Sequence, residues 1–279
     1  MEKAFALYDP AHRSSYTELL SQDVQVQLWV HSNWLLARLG YLDQALFQRD
    51  AALEEARGLS HPPTLAIALA CAWWTGSLVR FEPGSLLQYA DELLALATEH
   101  GLALIRALAL IYRGRSLAML GRPDEGIPLL TAGLTGGQEL GYMSARGYYL
   151  ALLGDAYRMA GQWQAALDHV TEGRRLTEKT GDQCDKAETV RLSADVMLAM
   201  GDRIGAEAGY REAITIAHQQ NAKLWELCAG ISLARLWRDQ GKLMEARALL
   251  APVYGWFTEG FGTPVLQEAK ALLGELDRN

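Results

Sequence analysis

Residues 148–167 read YYLALLGDAYRMAGQWQAAL, and this stretch carries the pattern that predicts the fold. One amphipathic segment ends at Gly161, and a second begins directly after it. Gly121, Gly201 and Gly241 lie at multiples of 40 residues from Gly161. A second ladder of turn residues, offset by 20 positions and with the same spacing, consists of Gly101, Gly141, Gly181 and Asn221. Because glycine and asparagine tolerate the left-handed conformation at a helix C-terminus, two turns in each period predict two helices in each period.

Small residues recur at two fixed distances from the turn glycines. The positions seven residues before and five residues after the turn hold small side chains, which allow the two helices of a hairpin to cross closely. The residues at these positions are Asn33, Gly114, Gly154, Ala194 and Ala234 before the turn, and Ala45, Gly126, Ala166, Ala206 and Ala246 after it. We therefore predict an all-α, right-handed superhelical solenoid of about six helical hairpins with a period of 40 residues.

The predicted solenoid is one continuous domain. Its hairpins span residues 24–262, after a lead-in segment over residues 1–23 that does not share the periodicity. A capping helix over residues 263–279 follows, with Thr263 and Pro264 at its start. Its apolar residues are expected to face the solenoid, and Glu268 is expected on its solvent-facing side.

The second hairpin departs from the pattern at two places. Gly40 and Gly121 are 81 residues apart, so one extra residue is expected near the turn at residues 81–84. Trp73 and Trp74 place a large ring where other hairpins hold a small residue. Either this hairpin is splayed, or one ring belongs to an exposed aromatic patch on a partner-facing surface.

Composition excludes several classes of function. The chain has 279 residues, with 33 acidic and 26 basic side chains and a net charge of −7, which argues against a nucleic-acid partner. Three scattered cysteines favour a reduced, cytoplasmic protein over a disulfide framework. The N-terminus does not resemble a signal peptide, and no run of 18 apolar residues predicts a membrane span.

The stretch at residues 148–167 resembles the tetratricopeptide repeat. It has the Leu153-Gly154 pair, Tyr157 three residues later, the turn at Gly161 and a small residue at Ala166. The period of that family is about 34 residues, whereas here it is 40. The longer period is similar to that of the lengthened repeats in the sensor arms of bacterial signal-transduction ATPases.

A second resemblance covers most of the chain. Residues 232–242 and 249–261 are similar to the tail of large bacterial proteins that join a class III adenylate/guanylate cyclase domain to an ATPase and a repeat region. Residues 8–10 and 40–46 also resemble that repeat region, whereas Gly262 and Val265 stand where its members often carry Asp. The resemblance implies the regulatory repeat arm of a signalling protein, with protein or peptide partners that include its own cyclase and ATPase domains.

The sequence carries no readable catalytic, cofactor or metal motif. The phosphate loop of the ATPase relatives, H-E-x-x-H and C-x-x-C are all missing, and six histidines are dispersed. We therefore expect a non-catalytic scaffold without a cofactor, and the alternatives are a stand-alone adaptor or a small-ligand sensor. A carboxylate-clamp co-chaperone is disfavoured, because the corresponding positions are mostly apolar and Arg191 alone is basic.

The binding surface is predicted on the first helix of each hairpin, as the tetratricopeptide resemblance implies. Positions three, six and ten residues before the turns place charged side chains in this groove. The candidate groove residues are Arg115, Asp155, Arg158, Arg191, Asp195, Arg235 and Arg238. Under one interpretation Arg115 pairs with Asp155 and Asp195 with Arg235. Under the other, the excess of arginine receives an acidic segment or a phosphate-bearing ligand.

Overall fold

The computed structural model describes residues 7–142 and 144–278. Residues 1–6 of the predicted lead-in segment and residue 279 of the predicted capping helix lie outside this part. The described residues form fourteen α-helices, one short 3₁₀ segment and no strand. The helices are α1 Arg13–Leu20, α2 Val24–Leu39, α3 Leu42–Gly58, α4 Pro62–Leu78, α5 Pro83–Glu99, α6 Ala103–Met119, α7 Pro123–Glu139, α8 Arg146–Met159, α9 Trp163–Thr180, α10 Lys186–Ala199, α11 Arg203–Gln219, α12 Lys223–Asp239, α13 Leu243–Gly255 and α14 Pro264–Leu276.

Helices α2 to α13 form six consecutive hairpins, as the sequence predicts. The turn residues of both ladders have positive φ, from 54° at Asn221 to 90° at Gly201. A left-handed residue at this position ends a helix and lets the chain reverse, and glycine adopts it without steric cost. No helix in the described part of the chain has both the length and the hydropathy needed to cross a lipid bilayer.

Close helix crossings occur at the predicted small residues. A Cβ atom added to Gly114 would lie 2.5 Å from the carbonyl oxygen of Gly126. A Cβ atom added to Gly154 would lie 2.6 Å from Cγ1 of Val170 and 2.9 Å from the carbonyl oxygen of Ala166. These distances are shorter than a carbon atom allows, so the backbones approach because side chains are missing there.

The second hairpin turn contains the predicted extra residue. Arg80 occupies the left-handed position, with φ of 62°, where every other hairpin turn has glycine. Two residues, Phe81 and Glu82, then precede helix α5, whereas one residue separates Gly121 from helix α7. The insertion shifts the helix start without changing the hairpin.

The first helices of the hairpins form a closed ring. Each of α2, α4, α6, α8, α10 and α12 contacts the next, and α12 contacts α2. The segment after α13 contacts the first two hairpins. The backbone nitrogen of Gly260, in the loop, donates to Asp43 Oδ2 at 2.9 Å. The backbone nitrogen of Val265, at the start of α14, donates to the carbonyl oxygen of Val79 at 3.2 Å. The groove expected from the sequence is therefore a central cavity surrounded by the ring of first helices.

A charged central cavity as the candidate functional site

The cavity inside the ring has a volume of about 670 Å³. Helices α4, α6, α8, α10 and α12 supply most of its wall, together with Tyr210 of α11. Six of the seven predicted groove residues line it: Arg115, Asp155, Arg158, Arg191, Asp195 and Arg235. Residues 40 positions apart occupy equivalent places on neighbouring inner helices, which explains why they converge.

Asp155 lies between two guanidinium groups. Arg115 Nη1 donates to Asp155 Oδ2 at 2.5 Å, and Arg158 Nε donates to Oδ1 at 2.6 Å. Burial alone would raise the pKa of Asp155, but the charges of the two arginines and their hydrogen bonds outweigh burial and lower the pKa. The carboxylate is therefore ionised at neutral pH, and this group of three side chains carries a net positive charge.

Arg191 has the opposite arrangement, with one guanidinium between two carboxylates. Its Nη2 donates to Glu188 Oε1 and its Nε to Oε2, both at 2.6 Å, while Nη1 donates to Asp195 Oδ2 at 2.7 Å. The Tyr210 hydroxyl donates to Asp195 Oδ1 at 2.7 Å, and burial together with that carboxylate raises the pKa of Tyr210. This group lines the cavity and carries a net negative charge.

Glu268 of helix α14 completes a third group that sequence reasoning missed. Its carboxylate accepts a hydrogen bond from Arg80 Nη1 and forms an ion pair with Arg235 Nη1 at 2.6 Å. Its side chain is only 20% exposed, so the prediction that it faces solvent is wrong. The capping helix turns this face inward because the ring closes. The sequence signal for Arg80 is that it stands at a turn position where the other hairpins have glycine.

The pairing expected from sequence is correct in one case and wrong in the other. Arg115 pairs with Asp155, one repeat away, as predicted. Asp195 does not pair with Arg235, since Asp195 is held by Arg191, and Arg235 reaches the capping helix.

Arg238 is the one predicted groove residue that does not line the cavity. It pairs with Glu275 at 2.6 Å and with Asp239 at 3.0 Å. Both partners lie near the end of the solenoid, away from the cavity wall. Arg238 therefore fastens the capping helix to helix α12.

The remaining cavity wall is apolar. Leu78, Phe81, Leu152 and Trp225 contribute to it. The side chain of Trp225 is 3% exposed, and its buried Nε1 donates to no acceptor within the described part of the chain. The indole nitrogen of Trp34, which does not line the cavity, is in the same state, so the unpaired N–H group is not specific to the cavity wall.

The prediction of an exposed aromatic patch at Trp73 and Trp74 is wrong. Trp73 is fully buried, stacks on Tyr112 with ring centres 4.0 Å apart, and donates to the hydroxyl of Ser116 at 2.9 Å. Trp74 is 7% exposed and lies beneath the guanidinium of Arg38. The adjacent first helices therefore cover both side chains, α6 over Trp73 and α2 over Trp74.

Within residues 7–142 and 144–278, no three His, Cys, Asp or Glu side chains form a metal-binding group. Cys71 and Cys228 are buried, and burial raises the pKa of both thiols, to about 12 for Cys71. Thiols in that state are protonated and poor nucleophiles at neutral pH.

No protein-family model and no curated protein sequence matches this chain. Solved structures do match it. The apo form of RapI is 13% identical, with a TM-score of 0.61 over 99% of this chain and 87% of RapI. A Rap protein complexed with Competence and Sporulation Factor is 13% identical, with a TM-score of 0.62 over 91% of this chain and 75% of that chain.

A third match is a signal-transduction ATPase with numerous domains and a tetratricopeptide repeat sensor, from Pyrococcus horikoshii. It is 15% identical, with a TM-score of 0.60 over 90% of this chain, and this chain spans 37% of it. At such low identities these matches establish the fold alone: the protein is an all-helical solenoid of tetratricopeptide-like hairpins.

Proposed function

We propose that this chain is a non-catalytic sensor or interaction scaffold that holds a segment of a partner protein, or a ligand, in its central cavity. The observation that carries the proposal is the cavity of about 670 Å³, lined by charged groups from four different helices and from the turn at Arg80. Binding sites for small molecules and short peptides commonly have this size and combine apolar walls with a few charged groups.

The similar structures support a binding role. One is a Rap protein in complex with Competence and Sporulation Factor, and another carries a tetratricopeptide repeat sensor. On the resemblance of residues 232–242 and 249–261, we further propose that this is a cytoplasmic, bacterial regulatory arm. Its partners would then include cyclase or ATPase domains of a longer parent chain. Residues 24–262 are its repeats, with a lead-in at 1–23 and a cap at 263–279.

A peptide selection tests whether the cavity is the binding site. Random heptapeptides displayed on phage are panned against the immobilised chain, and enriched peptides are titrated against the chain in solution by calorimetry. Ser232 lies on the cavity wall and is partly exposed, so Ser232→Tyr places a phenol ring inside the cavity. We expect this variant to lose at least nine-tenths of its affinity for the enriched peptides.

Thr215→Tyr is the matched control. Thr215 is exposed on helix α11 and does not line the cavity, so the same phenol ring should leave binding unchanged. Two results would contradict the proposal: a selection that enriches no peptide, or enriched peptides that bind the Ser232→Tyr variant as tightly as the unaltered chain.

A further inference from the structure

Arg80 occupies a backbone position that glycine would fill with less strain. Five of the six hairpin turns use glycine at positive φ, and the second turn uses Arg80 with φ of 62°. A residue other than glycine in the left-handed region costs roughly 1 kcal/mol. Ser60 and Ala145 also have positive φ, so the backbone alone does not assign a role, and the position of the Arg80 side chain is decisive.

The Arg80 side chain lines the cavity and shares the carboxylate of Glu268 with Arg235. One carboxylate therefore serves two guanidinium groups, and both arginines remain partly accessible, with 28% and 48% of their side chains exposed. Asp155 is shared in the same way by Arg115 and Arg158, of which Arg158 is 28% exposed.

The charges on the cavity wall do not balance. Five arginines, Arg80, Arg115, Arg158, Arg191 and Arg235, meet four carboxylates, Asp155, Glu188, Asp195 and Glu268. One positive charge is left over on the cavity wall. Arg158 uses only its Nε toward Asp155, and its two terminal nitrogens make no hydrogen bond to the described residues.

We propose that the cavity binds a small organic anion that carries one carboxylate or phosphate group on an apolar body. This inference rests on the proposed function and names the class of ligand. Arg80, Arg158 and Arg235 receive the anionic group, because guanidinium groups bind carboxylate and phosphate through paired hydrogen bonds. Leu78, Leu152 and Trp225 contact the apolar body. The cavity volume of about 670 Å³ suits a small molecule or the end of a peptide segment.

Two pairs of probes, in each of which only one member carries the anionic group, test this inference by calorimetry on the full chain. The first pair is octyl phosphate and octanol. The second is an N-acetylated apolar pentapeptide with a free C-terminal carboxylate and the same peptide as its amide. We expect the anion of at least one pair to bind at least tenfold more tightly than its neutral partner. The pair that responds identifies the source of the anionic group, a free acid or a peptide end.

Variants of the arginines identify the residues responsible. Arg80→Gly should weaken binding of the anionic probe at least tenfold without lowering the melting temperature by more than a few degrees, because glycine relieves the strained turn. Arg158→Gln should weaken binding to a similar extent. Arg174→Gln is the control, since Arg174 pairs with Glu212 on the outer helices at 2.9 Å. It should bind like the unaltered chain.

Several results would overturn the inference. Equal affinity for the charged and neutral members of both pairs would exclude an anionic ligand, and so would unchanged binding by Arg80→Gly and Arg158→Gln. If neutral peptides bind and Ser232→Tyr abolishes that binding, the cavity is a binding site and only the anionic class is wrong. If none of the four probes binds, the anionic class is likewise rejected, and the phage selection decides separately on the proposed function.

Discussion

Arg38 and Asp185 form an ion pair that joins the first hairpin to the fifth, across 147 residues of sequence. Nη2 of Arg38 lies 2.9 Å from Oδ1 of Asp185, and the two side chains are 20% and 8% exposed. Arg38 also lies over the ring of Trp74, 4.5 Å from its centre. Burial raises the pKa of Asp185, and the charge of Arg38 opposes that rise only in part. The pair therefore links two hairpins that are not neighbours in the ring, at a place with little solvent.

Removing the Asp185 carboxylate should destabilise the closed ring. We expect Asp185→Ala to lower the free energy of unfolding by about 2–3 kcal/mol, somewhat less than for a fully buried pair because Arg38 keeps some contact with water. Urea denaturation measures the loss. As a control, Glu92→Ala removes an exposed partner of Arg57 and should cost less than about 1 kcal/mol. Equal losses in both variants would show that the Arg38–Asp185 pair contributes no more to stability than an exposed ion pair.

The contribution of Asp155 to stability should disappear in acid. Its pKa in the folded chain lies below the ordinary value of 3.8, so between the two values the unfolded chain binds more protons and acid favours unfolding. Asp155→Asn should cost about 3–5 kcal/mol at neutral pH, because Arg115 and Arg158 lose their carboxylate. The difference between this variant and the unaltered chain should stay constant from pH 7 to pH 5 and shrink below 3.8.

Denaturant titrations at several pH values test the Asp155 prediction. Asp168→Asn changes an exposed carboxylate on helix α9 and should give a difference near zero at every pH. The pKa argument would fail if the cost of Asp155→Asn were the same at pH 3 as at pH 7.

Two glycine substitutions with opposite expected signs test the helix crossings. Gly154→Ala should lower the free energy of unfolding on the order of 1–3 kcal/mol, because its Cβ would lie within 2.9 Å of the carbonyl oxygen of Ala166. Gly274→Ala, in helix α14, meets no atom within 4 Å and should stabilise the protein by about 0.5–1 kcal/mol. Melting temperatures that move in the same direction for both variants would contradict the assigned crossing.

Trp73 should behave as a core residue. Trp73→Ala removes a fully buried ring together with its stack on Tyr112 and its hydrogen bond to Ser116, and should cost about 3–5 kcal/mol. Trp163, which is 44% exposed, provides the comparison, and Trp163→Ala should cost less than half as much. Chemical denaturation followed by circular dichroism distinguishes the two. A loss of less than about 1 kcal/mol in the free energy of unfolding of Trp73→Ala would favour a splayed hairpin or an exposed ring instead.

Local chemistry along the chain determined the hairpins. The turns lie at Gly121, Gly161 and Gly201, because a residue with left-handed backbone ends a helix regardless of the surrounding fold. Gly114 and Gly154 set the crossings because a missing side chain acts on the nearest helix only. The same regular stacking places residues 40 positions apart side by side, so the cavity arginines could be predicted as a cluster from their spacing.

Only the tertiary structure decided that the solenoid closes into a ring. Closure depends on the small rotation between successive hairpins, which accumulates over six of them and which no local pattern encodes. The contacts that result join Arg38 to Asp185, Arg80 to Glu268 and Asp43 to the backbone of Gly260, all far apart in sequence. For this reason the inward face of Glu268 and the central cavity could not be predicted from the sequence.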